Sequence, residues 1–208
     1  MKSKVLDAKA EVRGPELCAR LRCQCERTWL RGVQHLFRFD AWHASAPYSC
    51  RPYKKRVAEL ANSLQPQAVV EVGCGLGDIL SHVKARERFG FDNDAAVIRA
   101  ARFLHPRRIH WIRGDASSVA LAMPGERPID CMIMVNWIHN LSAEQLAACL
   151  LPLLPRIGHL ILDAIDADGP PSYRFKHDFA FLAPFTVRTS SARVTGEPRS
   201  FIVFKVVK

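Results

Sequence analysis

Apolar and polar residues follow one another along this chain in two rhythms, and the order of the rhythms predicts an alternating α/β protein. Residues 1 to 14 hold no period and are expected to fray. From Pro15 onward, Leu17, Leu21, Cys25, Trp29, Val33 and Leu36 recur every three or four positions. That spacing predicts an amphipathic helix, either a lid or a support packed on the domain edge. A second helix is expected from Pro52 to about Leu64, with Tyr53, Val57, Leu60 and Leu64 on one face, ended by Gln65-Pro66. Short apolar runs then take over at Val69–Val72, Arg88–Asp92, Ile109–Ile112, Ile129–Val135 and Gly158–Ala164, which read as strands of a buried, mainly parallel sheet. Helical spacing separates them: a short stretch at Ile79–Val83, then Ala95–Leu104, a helix from Ser117, and Ala143–Leu154 behind the capping box Ser142-x-x-Gln145. Pro124-Gly125 and Pro128 mark the loop before the fourth strand. Phe185–Thr189 and Phe201–Val207, joined by a Gly196-Glu197-Pro198 turn, predict a closing pair of strands.

Chemistry concentrates where the first strand ends, in Glu71-Val72-Gly73-Cys74-Gly75-Leu76-Gly77-Asp78. Glycine there admits positive φ and lets a ligand approach the backbone closely. A dinucleotide fingerprint would put its third glycine five positions after the first, where this chain has Asp78. Two carboxylates beside the loop also suit a phosphate poorly.

The run Glu-Val-Gly-Cys-Gly-Leu-Gly resembles the first motif of class I S-adenosylmethionine-dependent methyltransferases. The resemblance implies that Gly73, Cys74, Gly75 and Gly77 lie against the cofactor's methionine portion and that Glu71 places its ammonium group. Gly90-Phe91-Asp92-Asn93-Asp94 resembles the second motif, about twenty positions on, where a strand-end acid meets a ribose. Asp92 is then the ribose ligand with Asn93 beside it, and Asp94 is the cap of the next helix. Asp115, followed by Ala116, matches the acid that holds the adenine amino group in this family; its alternative is a plain helix cap. Asn136-Trp137-Ile138-His139-Asn140 follows the fourth strand and is aimed at the crevice. Together with Asp130 it resembles the fourth motif of small-molecule methyltransferases, with Asn136 toward the cofactor. The Asn/Asp-Pro-Pro-aromatic signature of many amino methyltransferases is missing, which disfavours base N-methylation. The resemblance covers about residues 66 to 208. It implies an α/β, Rossmann-like, doubly wound seven-stranded sheet, mostly parallel with an antiparallel last strand, preceded by an N-terminal helical extension over residues 1 to 65.

Methyl transfer to a hydroxyl calls for a base, and histidine suits neutral pH. His139 is the first candidate because the sheet fixes its position; His177 and His43 follow. Trp42, Tyr48, Trp137, Asn140 and Lys176 are the expected acceptor-binding residues, since aromatic and cationic side chains in loops can wall a pocket.

Composition narrows this only a little. A net charge of +10 fits either an anionic small substrate or nucleic acid, so an RNA methyltransferase using the basic N-terminal segment stays open beside the small-molecule or glycan-like acceptor, methylated at oxygen. A non-catalytic module on the same fold is the third reading. No run approaches the ~18 apolar residues of a membrane span, and no apolar leader follows Met1, so a cytoplasmic protein without a membrane partner is expected. Cys18, Cys23 and Cys25 match no paired metal signature, and all seven cysteines are expected as free thiols.

Overall fold

The computed structural model describes residues 13–45, 47–123 and 127–207, with side chains from Leu17 onward. The fraying expected of residues 1 to 14 lies outside the described residues as far as residue 12, whereas Arg13 and Gly14 already belong to the first helix; the loop at Pro124-Gly125 also lies outside the described residues. Three helices lead in: α1 (Arg13–Phe37), the short α2 (Ala41–Ser45) and α3 (Pro52–Ser63). The sheet strands are β1 (Ala68–Val72), β2 (Glu87–Asp92), β3 (His110–Arg113), β4 (Ile129–Met134), β5 (Ile157–Ile165), β6 (Thr186–Arg193) and β7 (Arg199–Val206). Between them run α4 (Ala95–Leu104), α5 (Ala116–Ala122) and α6 (Ala143–Leu150).

The seven strands lie in the order β3-β2-β1-β4-β5-β7-β6. β1 to β5 pair in parallel, and β7 alone runs against its neighbours β5 and β6. Alternate residues of each strand supply opposite faces, as the pleat requires. Val70, Met132 and Leu160 pack with α5 and α6 on one side. Val69, Cys131, Ile133 and Ile161 pack with α3 and α4 on the other.

Two sequence expectations fail. The helical spacing after the glycine loop yields only a 3₁₀ turn, Leu80–His82. Only fourteen residues, 73 to 86, join β1 to β2, and the glycine turn consumes several of them, leaving too few for a packed α-helix. The glycine loop therefore faces no helix dipole. The predicted stripe of α1 also splits: Val33 turns inward, while Leu17, Leu21, Cys25, Trp29 and Leu36 are exposed. Leu30 and Val33 pack on Phe39, Leu76, Val97 and Ala100. Leu17, Leu21, Trp29 and Leu36 stay 54–66% exposed.

The expectation of free thiols is corrected at one pair. Cys23 on α1 and Cys50, in a 3₁₀ turn just before α3, form a disulfide with Cα atoms 5.2 Å apart. Contact between α1 and that turn also brings the Ser49 N–H and hydroxyl to Glu26 Oε2, at 3.2 and 2.6 Å. Both Cys23 and Cys50 sit in elements that sequence periodicity cannot bring together. Cys18, Cys25, Cys74, Cys131 and Cys149 are free.

Closing a loop over a sequence separation of 27 restricts the unfolded chain by up to ~3.5 kcal/mol. Replacing Cys23 and Cys50 together by serine is expected to lower unfolding stability toward that amount, read as a reduced urea midpoint. The wild type under reducing agent should match the double variant.

Candidate functional site

The carboxyl ends of β1 to β4 open into one cavity of about 660 Å³, at the point where the strand order reverses between β1 and β4. Crevices of this kind collect ligands because neighbouring loops diverge there. Six carboxyl groups line it (Asp40, Glu71, Asp78, Asp92, Asp94 and Asp115) against the three cations Arg51, Lys54 and Arg199.

Three of those acids stand at or just beyond the ends of consecutive strands. Glu71 is buried in β1 and accepts the Leu80 N–H at 3.1 Å. Burial, and then the nearby Asp78 carboxylate, push its pKa well above the ordinary glutamate range. Asp92 ends β2, taking the Gly75 N–H on Oδ2 at 3.0 Å and the Asp94 N–H on Oδ1 at 3.0 Å. A carboxylate oxygen carries two lone pairs, so each keeps one for a ligand. Asp115 caps α5 entirely through Oδ1, which receives the Ser117 and Ser118 N–H groups and both hydroxyls. The Ser117 hydroxyl is the largest cause of its lowered pKa. Asp115 is therefore both a helix cap and a cavity residue. Asp94 accepts the Ala96 N–H at 2.7 Å and caps α4.

Between these acids the glycine turn runs through φ values of 71°, 53° and 81° at Gly73, Gly75 and Gly77. Gly73 and Cys74 donate to the Phe91 carbonyl at 2.8 and 2.9 Å, which ties the turn to β2. Gly77 does not face the cavity. A Cβ there would stand 2.1 Å from the Trp111 ring, so this glycine serves helix-free packing against β3. Nor is Gly73 bare: the Trp137 indole lies on it, 2.1 Å from where a Cβ would be, and donates Nε1–H to the Val72 carbonyl at 2.5 Å. The open part of the turn is at Gly75, facing His43.

Trp137 reaches Gly73 because Asn136 reverses the chain. Asn136 has φ 74° and ψ −60°, and the Trp137 N–H donates back to Val135 O at 3.0 Å, a γ-turn in a strained region. Asp163, fully buried on β5, accepts the Asn136 N–H at 2.8 Å. Asn136 Oδ1 accepts from the Tyr173 hydroxyl and from Arg199 Nη1, each at 3.3 Å. Arg199 also pairs with Asp163 at 3.4 Å and Glu197 at 2.7 Å, and stacks 3.9 Å above the Tyr53 ring. Burial pushes the Tyr53 phenol up to about 12, so it stays protonated.

Of the three candidate histidines, only His43 lines the cavity. His139 is 1% exposed and lies behind it. Its Nδ1–H donates to Phe175 O at 2.9 Å, and Nε2 stands 3.3 Å from Asp163 Oδ1, poorly aligned for a hydrogen bond. His177 donates Nε2–H to Ile138 O at 3.1 Å and stacks on His139. Strand-end position was the reason to favour His139, but the γ-turn aims Asn136 and Trp137 outward and His139 inward. Burial lowers the pKa of His43, opposed first by Asp92, leaving the ring neutral at pH 7. It stacks on Trp42 with centroids 3.7 Å apart.

Trp42, Trp137 and Asn140 line the cavity, as do Cys74, Asn93 and Ala116. Tyr48 does not; it stacks on His82 outside. Lys176 donates to the carbonyls of Ala167 and Gly169 and pins their loop. Tyr173, in the aromatic and charged stretch Tyr173–Phe179 that the sequence places over the crevice, lines the cavity, and so do Arg51, Tyr53, Lys54, Cys149 and Arg199, which the sequence does not mark. Arg199 carries no local signal, whereas Asp163, a lone carboxylate in an apolar strand, carries the same signal as Glu71.

No protein-family model matches the sequence, and no curated protein matches it significantly. Solved structures do match, at low identity. N-methyltransferase NodS from Bradyrhizobium japonicum WM9, in complex with S-adenosyl-L-homocysteine, superposes with a TM-score of 0.65 at 15% identity, covering 86% of this chain and 98% of that one. The mitomycin 7-O-methyltransferase MmcR gives 0.61 at 12%, over 84% and 60%. Magnesium protoporphyrin IX methyltransferase (ChlM) from Synechocystis PCC 6803, with bound S-adenosylmethionine, gives 0.55 at 16%, over 74% and 80%. The chain has the Rossmann-like fold of these class I methyltransferases.

Two titrations test the electrostatics. Because the folded-state pKa of Glu71 is raised, folding binds its proton more tightly. That stability is full below pH 4.5 and is lost as pH rises through the folded pKa. Glu71→Gln is expected to flatten this slope and to be more stable than wild type at pH 8, measured by urea unfolding across pH. An NMR titration of His43 is expected to give a midpoint below 6.5.

Proposed function

We propose that the protein is an S-adenosylmethionine-dependent methyltransferase that methylates an oxygen of a small-molecule acceptor. The observation that carries this reading is the sign of the cavity: a chain of net charge +10 sets six carboxyl groups, Glu71 among them with a raised pKa, against only three cations around one crevice. Such a site attracts a cation and repels a polyanion. A sulfonium bearing an ammonium group fits it, and an RNA backbone does not.

The fit is local as well. Gly75 presents backbone with positive φ, and the free lone pairs of Asp92 suit a pair of ribose hydroxyls. Asp115 Oδ2 accepts no hydrogen bond from the described residues and suits an exocyclic amino group, beside Cys149 and Ala116. Glu71, near Lys54 and Asp78, meets the amino-acid end, and the Trp137 ring offers a π-face to positive charge. When bound, the cofactor supplies a methyl group already activated by the sulfonium charge. The chain's own part is to hold the acceptor in contact, worth up to ~7–11 kcal/mol by effective-molarity arguments.

Asn136 favours oxygen over nitrogen. Its Oδ1 is taken by two donors, which leaves Nδ2 to donate, and an acceptor oxygen can receive that bond where an amine N–H cannot. His43, neutral at pH 7 and inside the cavity, is the group placed to take the hydroxyl proton.

Calorimetry with S-adenosylhomocysteine tests the cofactor site. Wild type is expected to bind, Asp92→Ala to bind roughly 10- to 100-fold more weakly through lost charge-assisted hydrogen bonds, and Gly75→Arg not at all. No heat with correctly folded wild type sinks the reading. A methyl-labelled donor offered with pooled hydroxylated and pooled amine compounds then tests the atom: label confined to the amines removes the oxygen assignment.

A further inference from the structure

The solvent face of α1 is more apolar than the face that packs. At 100° per residue, Leu17, Leu21, Cys25, Leu36 and Trp29 fall within an arc of about 120°. Four of them keep large exposures: Leu17 59%, Leu21 54%, Trp29 58% and Leu36 66%. The core side carries Leu30, about 160° from the middle of the stripe, and Val33, about 40° beyond Trp29 at the stripe's edge. A regular stripe of this kind on a solvent face signals an unmet partner, because scattered exposed leucines would show no period.

Charge says which partner. Arg20, Arg27 and Arg31 border the stripe on one side and Arg22 on the other, all exposed. Between Leu17 and Phe37 the only carboxylate is Glu26, and it is turned inward to Ser49. Pairing with a second copy of α1 would set these four arginines against their own kind, with Glu16 in the first turns the one further acid of the helix. RNA would meet the arginines but leave three leucines in water. A protein groove for this face would have to carry acids along both rims to meet the arginines, a narrower requirement than an anionic surface sets. Leucines and a tryptophan along one face, with arginines long enough to reach upward past them, match the boundary between acyl chains and anionic headgroups.

We infer that α1 lies flat on anionic lipid surfaces, with Leu17, Leu21, Trp29 and Leu36 inserted and the arginines among the headgroups. Spanning is not involved: among the described residues no helix is long and apolar enough to cross a membrane. The expectation of no membrane partner considered only a span. The inference is independent of methyl transfer, since none of the stripe residues lines the cavity.

Co-flotation of the full chain with vesicles tests it. The chain is expected to float with phosphatidylcholine containing 30% phosphatidylglycerol and to stay behind with phosphatidylcholine alone. Binding should weaken steeply with salt, and by roughly fivefold for each arginine replaced by glutamine at positions 20 and 31. Leu21→Glu with Trp29→Glu should abolish flotation while circular dichroism and S-adenosylhomocysteine binding stay as in wild type. No flotation of the wild type with either vesicle overturns the inference. So does a concentration-dependent dimer in light scattering that the double glutamate variant dissociates, or RNA retention that the same variant removes.

Discussion

A carboxylate with no exposed surface survives in a protein only when hydrogen bonds and opposite charge replace its lost water. Asp163 meets that condition by drawing in the Asn136 N–H and Arg199, and so joins the ends of β4, β5 and β7. The constraint shapes the whole crevice. A non-glycine residue at φ 74° costs on the order of 1–3 kcal/mol. One charge-assisted hydrogen bond from its N–H contributes ~1.5–3 kcal/mol, enough to offset the strain. With the turn held, Asn136 and Trp137 face the cavity, and His139 becomes a structural partner behind it.

The second organising feature is a contrast of charge. Arginines and lysines make the exterior strongly basic, while acids from three successive strand ends converge inside. Asp94 and Asp115 cap α4 and α5, but β1 and β2 are joined without an α-helix, so no helix N-terminus stands at Glu71. Burial, and then the Asp78 carboxylate, raise the pKa of Glu71, and the position that destabilises the free protein is the one suited to a cationic group. That is the usual relation between stability and function at a binding site.

The N-terminal helices connect the cavity to the outside. α1 is held to the turn before α3 by the Cys23–Cys50 bond and by Glu26, and α2 brings Trp42 and His43 over the glycine turn. The side of α1 that makes these attachments is short of large apolar residues, and its opposite side is rich in them. Hydrophobic spacing reports that a helix has an apolar face; it does not report what covers that face.

The sequence by itself determined the order of strands and helices, the caps at Ser142, Asp94 and Asp115, the glycine turn, and the acids at the ends of the first three strands. Each depends on residues within a few positions of one another, where propensity, φ and spacing act directly. Tertiary structure alone decided that Tyr53, Tyr173 and Arg199 share one cavity, that Cys23 meets Cys50, and that His43 rather than His139 or His177 lines that cavity. It also decided which face of α1 is buried. Those outcomes depend on elements distant in sequence meeting in space, and on a buried carboxylate at Asp163 whose partners come from the ends of two other strands.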